Sequence, residues 1–301
     1  GIASSSGSVV VRTLNAGTSG VSGHLSFTTG TSSSGSSGSI VVATGSATHG
    51  KSGDIVVSVG KSKTDPGGNV VLTSGDAYSK TGGSISLSGG ASFASSSGSV
   101  VVRTLNAGTN GVSGHLSFTS GTASSGSSGS IRIATGSATH GKSGDIIVSV
   151  GKTTTTSHCY PGNDACSAGN VVLTSGEASS GTGGSMFFSS GAGIASSSGS
   201  VVVRTLNAGT SGVSGHLSFT TGTSSSGSSG SIVVATGSAT HGKSGDIVVS
   251  VGNTNYDTGG NVVLTSGDSS GRTGGSISLS SGSGIASSSG SVVVRTLNAG
   301  T

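Results

Sequence analysis

A repeated polar turn carries the residues best suited to acid–base chemistry. The string ATHGKSGD places His49, Lys51 and Asp54 within six residues, and it recurs as His140, Lys142 and Asp145 and again as His241, Lys243 and Asp246. A histidine beside a carboxylate in a serine-rich chain is the composition of a hydrolase site. An active site needs one defined pocket, however, and here the turn is copied three times without any distinguished serine. We therefore predict a surface turn with a Lys–Asp ion pair, and no enzyme.

Two cysteines lie in the one long insertion of the chain, TTTTSHCYPGNDACSAG. Six residues separate Cys159 from Cys166 and include Pro161 and Gly162, which allow the chain to reverse. This spacing favours a local disulfide within a loop at residues 152–169, and a disulfide indicates an oxidising compartment. A metal site of His158, Cys159, Asp164 and Cys166 is the alternative, but its spacing matches no common zinc pattern. We expect no metal and no cofactor.

A single arginine recurs in the string VVVRTLNAGT. It stands at Arg12, Arg103, Arg204 and Arg295. Regularly spaced guanidinium groups could form a surface-recognition ladder for sulfate or carboxylate groups of a polysaccharide. The competing interpretation is a solvated charge that discourages wrong pairing.

The composition requires a repeating architecture to position these side chains. Gly accounts for 59 of the 301 residues, charged residues for 7% and aromatic residues for 3%, so a core of large side chains is excluded. The net charge of +4 is spread along the chain and predicts no nucleic-acid binding. No apolar stretch is long enough for a membrane-spanning helix, which takes about 20 residues.

Short apolar runs, each followed by Gly, Ser and Thr, repeat at near-constant spacing. They begin at Ser8, His24, Ser39, Asp54, Asn69 and Ser84, and the six-unit pattern restarts at Ser99. One step, between Asp145 and Asn170, is longer than the others because of the cysteine insertion. Apolar residues alternate within the runs, and helical periodicity is absent.

These features predict an all-β fold, a parallel β-solenoid with about 15 residues per coil and a six-coil super-repeat of about 91 residues. Residues 1–301 would form one continuous solenoid, with super-repeats at about 8–98, 99–199 and 200–290 and the start of a fourth at 291–301. Two units per coil is the alternative geometry, and the handedness stays open. The middle residues of four runs, Val10, Val41, Val56 and Val71, would form a lateral-packing stripe between neighbouring solenoids.

The repeats resemble those of a known class of surface proteins. The units SGSIVVATGSATHGKSGDIVVSVG and NAGTSGVSGHLSFTTGTSSSGSSGS resemble the Ser/Gly/Thr-rich tandem repeats of cell-surface proteins in diatoms and other algae, and more loosely the β-solenoid stalks of bacterial adhesins. The resemblance implies an extracellular or cell-surface location and a structural or adhesive role.

We therefore expect a structural protein that forms a stiff extracellular filament. Residues Gly1–Thr18 are identical to Gly284–Thr301, which favours either a window of a longer tandem array or end-to-end assembly of copies. Self-association, end to end and laterally, would supply the partner. The alternative is a surface adhesin that holds polysaccharide or mineral through the arginine ladder and the hydroxyl-rich face.

Overall fold

The computed structural model describes residues 6–109, 111–153, 167–210 and 212–296. Within these ranges the chain contains neither helix nor strand. It divides into two units, Gly1–Ile147 and Val148–Thr301, and in each the contacts join mostly residues that are close in sequence. Since the described part holds no helix, it holds none that is long and apolar enough to cross a bilayer.

The predicted β-solenoid is wrong. A solenoid requires each run to hydrogen-bond along its length to the equivalent run one coil away. The backbone hydrogen bonds of the described residues instead join glycine to glycine within a unit, as from Gly83 N–H to Gly75 O at 2.9 Å. The described residues therefore form no solenoid coil, either of one unit or of two.

The side chains expected to form the solenoid core are exposed. Ile40 and Val42, assigned to one buried face, are 56% and 72% exposed, and Val41 between them is 82% exposed. No residue in the described ranges is buried. The physical reason is the composition: two or three large apolar side chains per unit offset too little of the conformational entropy lost when a glycine- and serine-rich coil is ordered.

Bends recur through the chain with the period of the sequence. In the first super-repeat they lie at residues 33–35, 48–50, 63–65, 78–80 and 93–95, always within the Gly/Ser-rich half of a unit. A hydroxyl often accepts the backbone N–H three residues later: Ser32 Oγ accepts from Gly35 at 3.0 Å, and Ser92 Oγ from Ser95 at 2.9 Å. These local bonds are typical of serine turns, and they form without any tertiary contact.

Candidate functional site

Each unit is a loop closed between the residue at the end of its run and the glycine at the end of the unit. We call this contact the neck. A Cβ placed on the closing glycine would lie 2.8–3.5 Å from the nearest atom of its neck partner. The eighteen necks of the described residues are Thr13/Gly23, Thr29/Gly38, Thr44/Gly53, Val59/Gly68, Ser74/Gly83, Gly90/Gly98, Thr104/Gly114, Ser120/Gly129, Thr135/Gly144, Val150/Gly169, Ser175/Gly184, Ser190/Gly199, Thr205/Gly215, Thr221/Gly230, Thr236/Gly245, Val251/Gly260, Ser266/Gly275 and Ser281/Gly290.

The contact that closes the loop differs between necks. At several necks where the run ends in serine or glycine, backbone closes on backbone, as between Gly98 N–H and Gly90 O at 2.8 Å. At Thr29 and Thr44 the hydroxyl donates instead, to Gly38 O at 3.3 Å and to Gly53 O at 3.2 Å. Where the run ends in valine, the contact is apolar: Val59 Cγ1 would lie 2.9 Å from a Cβ on Gly68. Glycine suits all three kinds of neck because a side chain there would crowd the atoms that close the loop.

The neck persists where the unit is lengthened. In the unit with the cysteine insertion, a Cβ on Gly169 would lie 3.1 Å from Val150 Cγ1, although the partners stand much further apart in sequence than in the matching Val59/Gly68 unit. A further bond closes the base of the insertion, from Thr153 Oγ1 to Ser167 O at 3.1 Å. Neck formation therefore does not depend on loop length. The necks were missed from sequence, although a glycine ending every unit was visible.

The repeated His–Lys–Asp turn forms an ion pair in all three copies, which confirms the predicted Lys–Asp pairing. Lys51 Nζ lies 2.8 Å from Asp54 Oδ2, and the equivalent distances are 2.8 Å for Lys142 and 2.7 Å for Lys243. A glycine with positive φ, 98° at Gly50, reverses the chain between the histidine and the lysine. The side chains of Lys51 and Asp54 are 78% and 65% exposed, so the pair is solvated and weak.

The arginines of the recognition ladder lie on the exposed surface, not on a strand. Arg12 lines an open recess of about 340 Å³ with Thr13, Leu14 and Asn15. Arg204 lines the equivalent recess of about 440 Å³ in the other unit. The recess is therefore present at two copies of the sequence VVVRTLN. Arg103 and Arg295 are likewise exposed.

The residues of the lateral-packing stripe are solvent-exposed. Val10 is 73%, Val41 82%, Val56 79% and Val71 75% exposed. In the second super-repeat the residue equivalent to Val41 is Arg132, which interrupts the stripe with a charge. The stripe therefore offers apolar surface without a partner in the described part of this chain.

The cysteine prediction falls outside the described residues. Cys159 and Cys166, with His158 and Asp164 of the alternative metal site, lie in the segment 154–166. In the ranges that the structure does describe, no cluster of three or more His, Cys, Asp or Glu side chains could hold a metal ion.

Comparison with known proteins returns no match to any protein family, curated protein or solved structure.

Proposed function

We propose that this is a structural protein, without enzymatic activity, that works outside the cell by self-association. The observation that carries the proposal is the repeated presentation of exposed apolar runs. A second copy of the chain carries the same runs at the same spacing, so it is the partner that matches them in register. The predicted disulfide in an oxidising compartment supports the extracellular location.

The apolar area of one super-repeat is large enough for a stable interface. Its runs carry sixteen large apolar side chains between 48% and 93% exposed: Val9, Val10, Val11, Leu25, Phe27, Ile40, Val41, Val42, Ile55, Val56, Val57, Val70, Val71, Leu72, Ile85 and Leu87. Together they present on the order of 1,000 Å² of apolar surface. A stable interface needs about 800 Å² from each partner, so one super-repeat suffices.

The backbone of the runs is also available to a second copy. The glycine-to-glycine bonds described above use no backbone group of a run. Runs of this kind combine β-branched residues, low charge and no proline, which is the composition that pairs with identical segments of other chains. Assembly would therefore bury valine and isoleucine and pair backbone groups together.

The test is assembly of the full chain and of two charge-matched variants. Val71→Lys/Val172→Lys/Val263→Lys places one charge in a run of each super-repeat, at valines that are each 75% exposed. Val21→Lys/Val112→Lys/Val213→Lys adds the same charges at valines that are 98%, 98% and 97% exposed but lie outside the runs. Sedimentation and electron microscopy should show concentration-dependent fibres for the parent and the second variant, and at least a tenfold higher critical concentration for the first. Equal assembly of both variants, or a monomeric parent at all concentrations, would contradict the proposal.

A second candidate function is adhesion, and the recurring arginine recess favours it. Arg12 and Arg204 stand beside Thr and Asn side chains that donate hydrogen bonds, a combination that suits sulfate or carboxylate groups of an extracellular polysaccharide. A glycan or silica binding assay distinguishes the two functions. If adhesion is the function, the chain should bind glycan or silica and should lose that binding when Arg12, Arg103, Arg204 and Arg295 are replaced by Ala. If assembly is the function, the chain should form fibres without such binding, and the substituted chain should still form them.

A further inference from the structure

We propose that the closed necks shorten the chain, and that tension extends it by opening its loops one at a time. This mechanical function goes beyond assembly and does not rest on it, because every neck lies within a single chain. It follows from how the loops are closed, what they enclose and how they are arranged along the sequence.

Each loop is held at its neck, and no side chain of the described residues is buried inside one. The loop from Val251 to Gly260 borders an open recess of about 590 Å³, lined by Asn253, Asp257 and other residues of the loop. No side chain of the loop is buried. Tension applied along the chain therefore acts on the neck contact itself and meets no packed core behind it.

A neck consists of one exposed bond or one apolar contact. Gly83 and Gly75 share a single backbone hydrogen bond, and Val59 and Gly68 share only a van der Waals contact. Exposed contacts of this kind form and break readily, since water replaces the lost partner. Opening is therefore reversible, and the loop closes again when tension is removed.

Opening one neck releases a chain length that is large compared with the width of the closed neck. Gly68 follows Val59 by nine residues along the chain, and the extended chain spans about 3.3–3.6 Å per residue. Subtracting the width of the closed neck leaves about 20–25 Å of additional length per loop. The eighteen necks of the described residues follow one another in sequence, so their contributions add.

Independence of the loops makes the extension gradual. The neck Val150/Gly169 forms around a loop ten residues longer than its counterpart Val59/Gly68. A unit of altered length thus leaves the closing contact unchanged. Loops that close independently open over a range of forces, without one all-or-none transition.

The experiment locks two necks with disulfides and measures extension of single full-length chains between terminal handles in an optical trap. The variant carries Val59→Cys/Gly68→Cys and Val251→Cys/Gly260→Cys, with Cys159→Ser and Cys166→Ser to remove the native thiols. At Gly68 a Cβ would lie 2.9 Å from Val59 Cγ1, and at Gly260 2.8 Å from Val251 Cγ1, so both pairs are close enough to bridge.

We expect oxidised and reduced molecules to have the same length at low force. Val59→Cys and Val251→Cys remove the Cγ1 atoms that a Cβ at Gly68 or Gly260 would crowd, so the necks stay closed in both states. At high force the reduced molecule should be longer by about 20–25 Å for each bridge. A control pair, Lys61→Cys/Val70→Cys, has the same nine-residue separation but joins no neck, and should oxidise at least tenfold more slowly. A length difference that is complete at the lowest force, or equal oxidation of the two pairs, would overturn the proposal.

Adjacent glycines provide a second measurement without disulfides. Gly68→Val and Gly260→Val place a side chain in the neck, whereas Gly67→Val and Gly259→Val place it where a Cβ meets no atom within 4 Å. The first pair should lengthen the chain at low force by about 20–25 Å per substitution, and the second pair should not. Single molecules report this result whether or not the protein forms fibres, so its failure is separate from failure of the proposed assembly.

Discussion

At the scale of single residues, the structure depends on glycine at three kinds of position. At a neck, glycine allows two backbones to approach so closely that a side chain would displace its neighbours, as at Gly83 against Gly75. In the His–Lys–Asp turn, glycine supplies a positive φ of 98° at Gly50, 100° at Gly141 and 108° at Gly242. The third kind comprises Gly89, Gly193 and Gly284, where a Cβ would lie 2.4–2.5 Å from a backbone oxygen. Most of the remaining glycines in the described ranges meet none of these conditions, so substitutions should distinguish the required glycines from those that tolerate a side chain.

Substitution of Gly50 tests the second kind of position. Gly50→Ala should destabilise the turn by about 1–3 kcal/mol, because an L-residue rarely adopts this φ. NMR amide shifts of Lys51 and Asp54 should then move toward those of an open chain. Gly45→Ala is the control, since its Cβ would meet no atom within 4 Å and its φ is ordinary. Equal shifts in both variants would contradict the role of positive φ.

At the scale of the elements, the repeated turn and the apolar run differ in how far sequence predicts them. The Lys51–Asp54 pair was predictable because partners three residues apart meet through local geometry alone. The bends likewise follow the spacing of the Gly/Ser-rich segments. Strands in SIVVAT and DIVVSV were predicted wrongly, because β-propensity describes how a side chain fits a paired surface and does not itself supply the pairing.

In the candidate site too, some features could be predicted from the sequence and others could not. The exposed arginines and valines stand where the repeat places them, and their exposure follows from the absence of a core in the described residues. The necks depend on a close approach between residues that are mostly eight to ten positions apart, as at Thr44 and Gly53. Glycine is the one residue type that indicates this approach, and it is too common in this chain to predict where the approach occurs.

Removal of the ion pair from the repeated turn should have little effect. Lys51→Gln, Lys142→Gln and Lys243→Gln together should change the free energy of each turn by less than about 0.5 kcal/mol, because the paired side chains are largely exposed. The amide shifts of the turn in low and high salt provide the measurement. A large shift in low salt that disappears in the Gln variant would show a stronger pair than this exposure allows.

At the scale of the whole molecule, stability is local. Each of the two units consists of loops that close on themselves, and the described residues bury no side chain that would couple one loop to another. Cooperative unfolding requires such coupling, because shared buried contacts make the loss of one element destabilise the rest. The dilute chain should therefore lack a single melting transition.

Calorimetry checks this expectation. A globular chain of 301 residues would absorb about 200 kcal/mol at its midpoint. We expect the dilute monomer to show no heat-absorption peak of that size, and concentrated, assembled material to show one that grows with the assembled fraction. A sharp peak that does not change with dilution would indicate a folded core within the monomer.

The independence of the loops has a consequence for how such a gene changes over generations. Long identical stretches such as SVVVRTLNAGT favour unequal recombination, which adds or removes whole repeats. In a chain with one shared core, such an event would disrupt packing across the molecule. Here the neighbours of a gained or lost loop keep their own necks, as the lengthened unit of Val150 and Gly169 shows. Lineages can therefore adjust the length of this protein in steps of a unit or of a super-repeat without first acquiring compensating mutations.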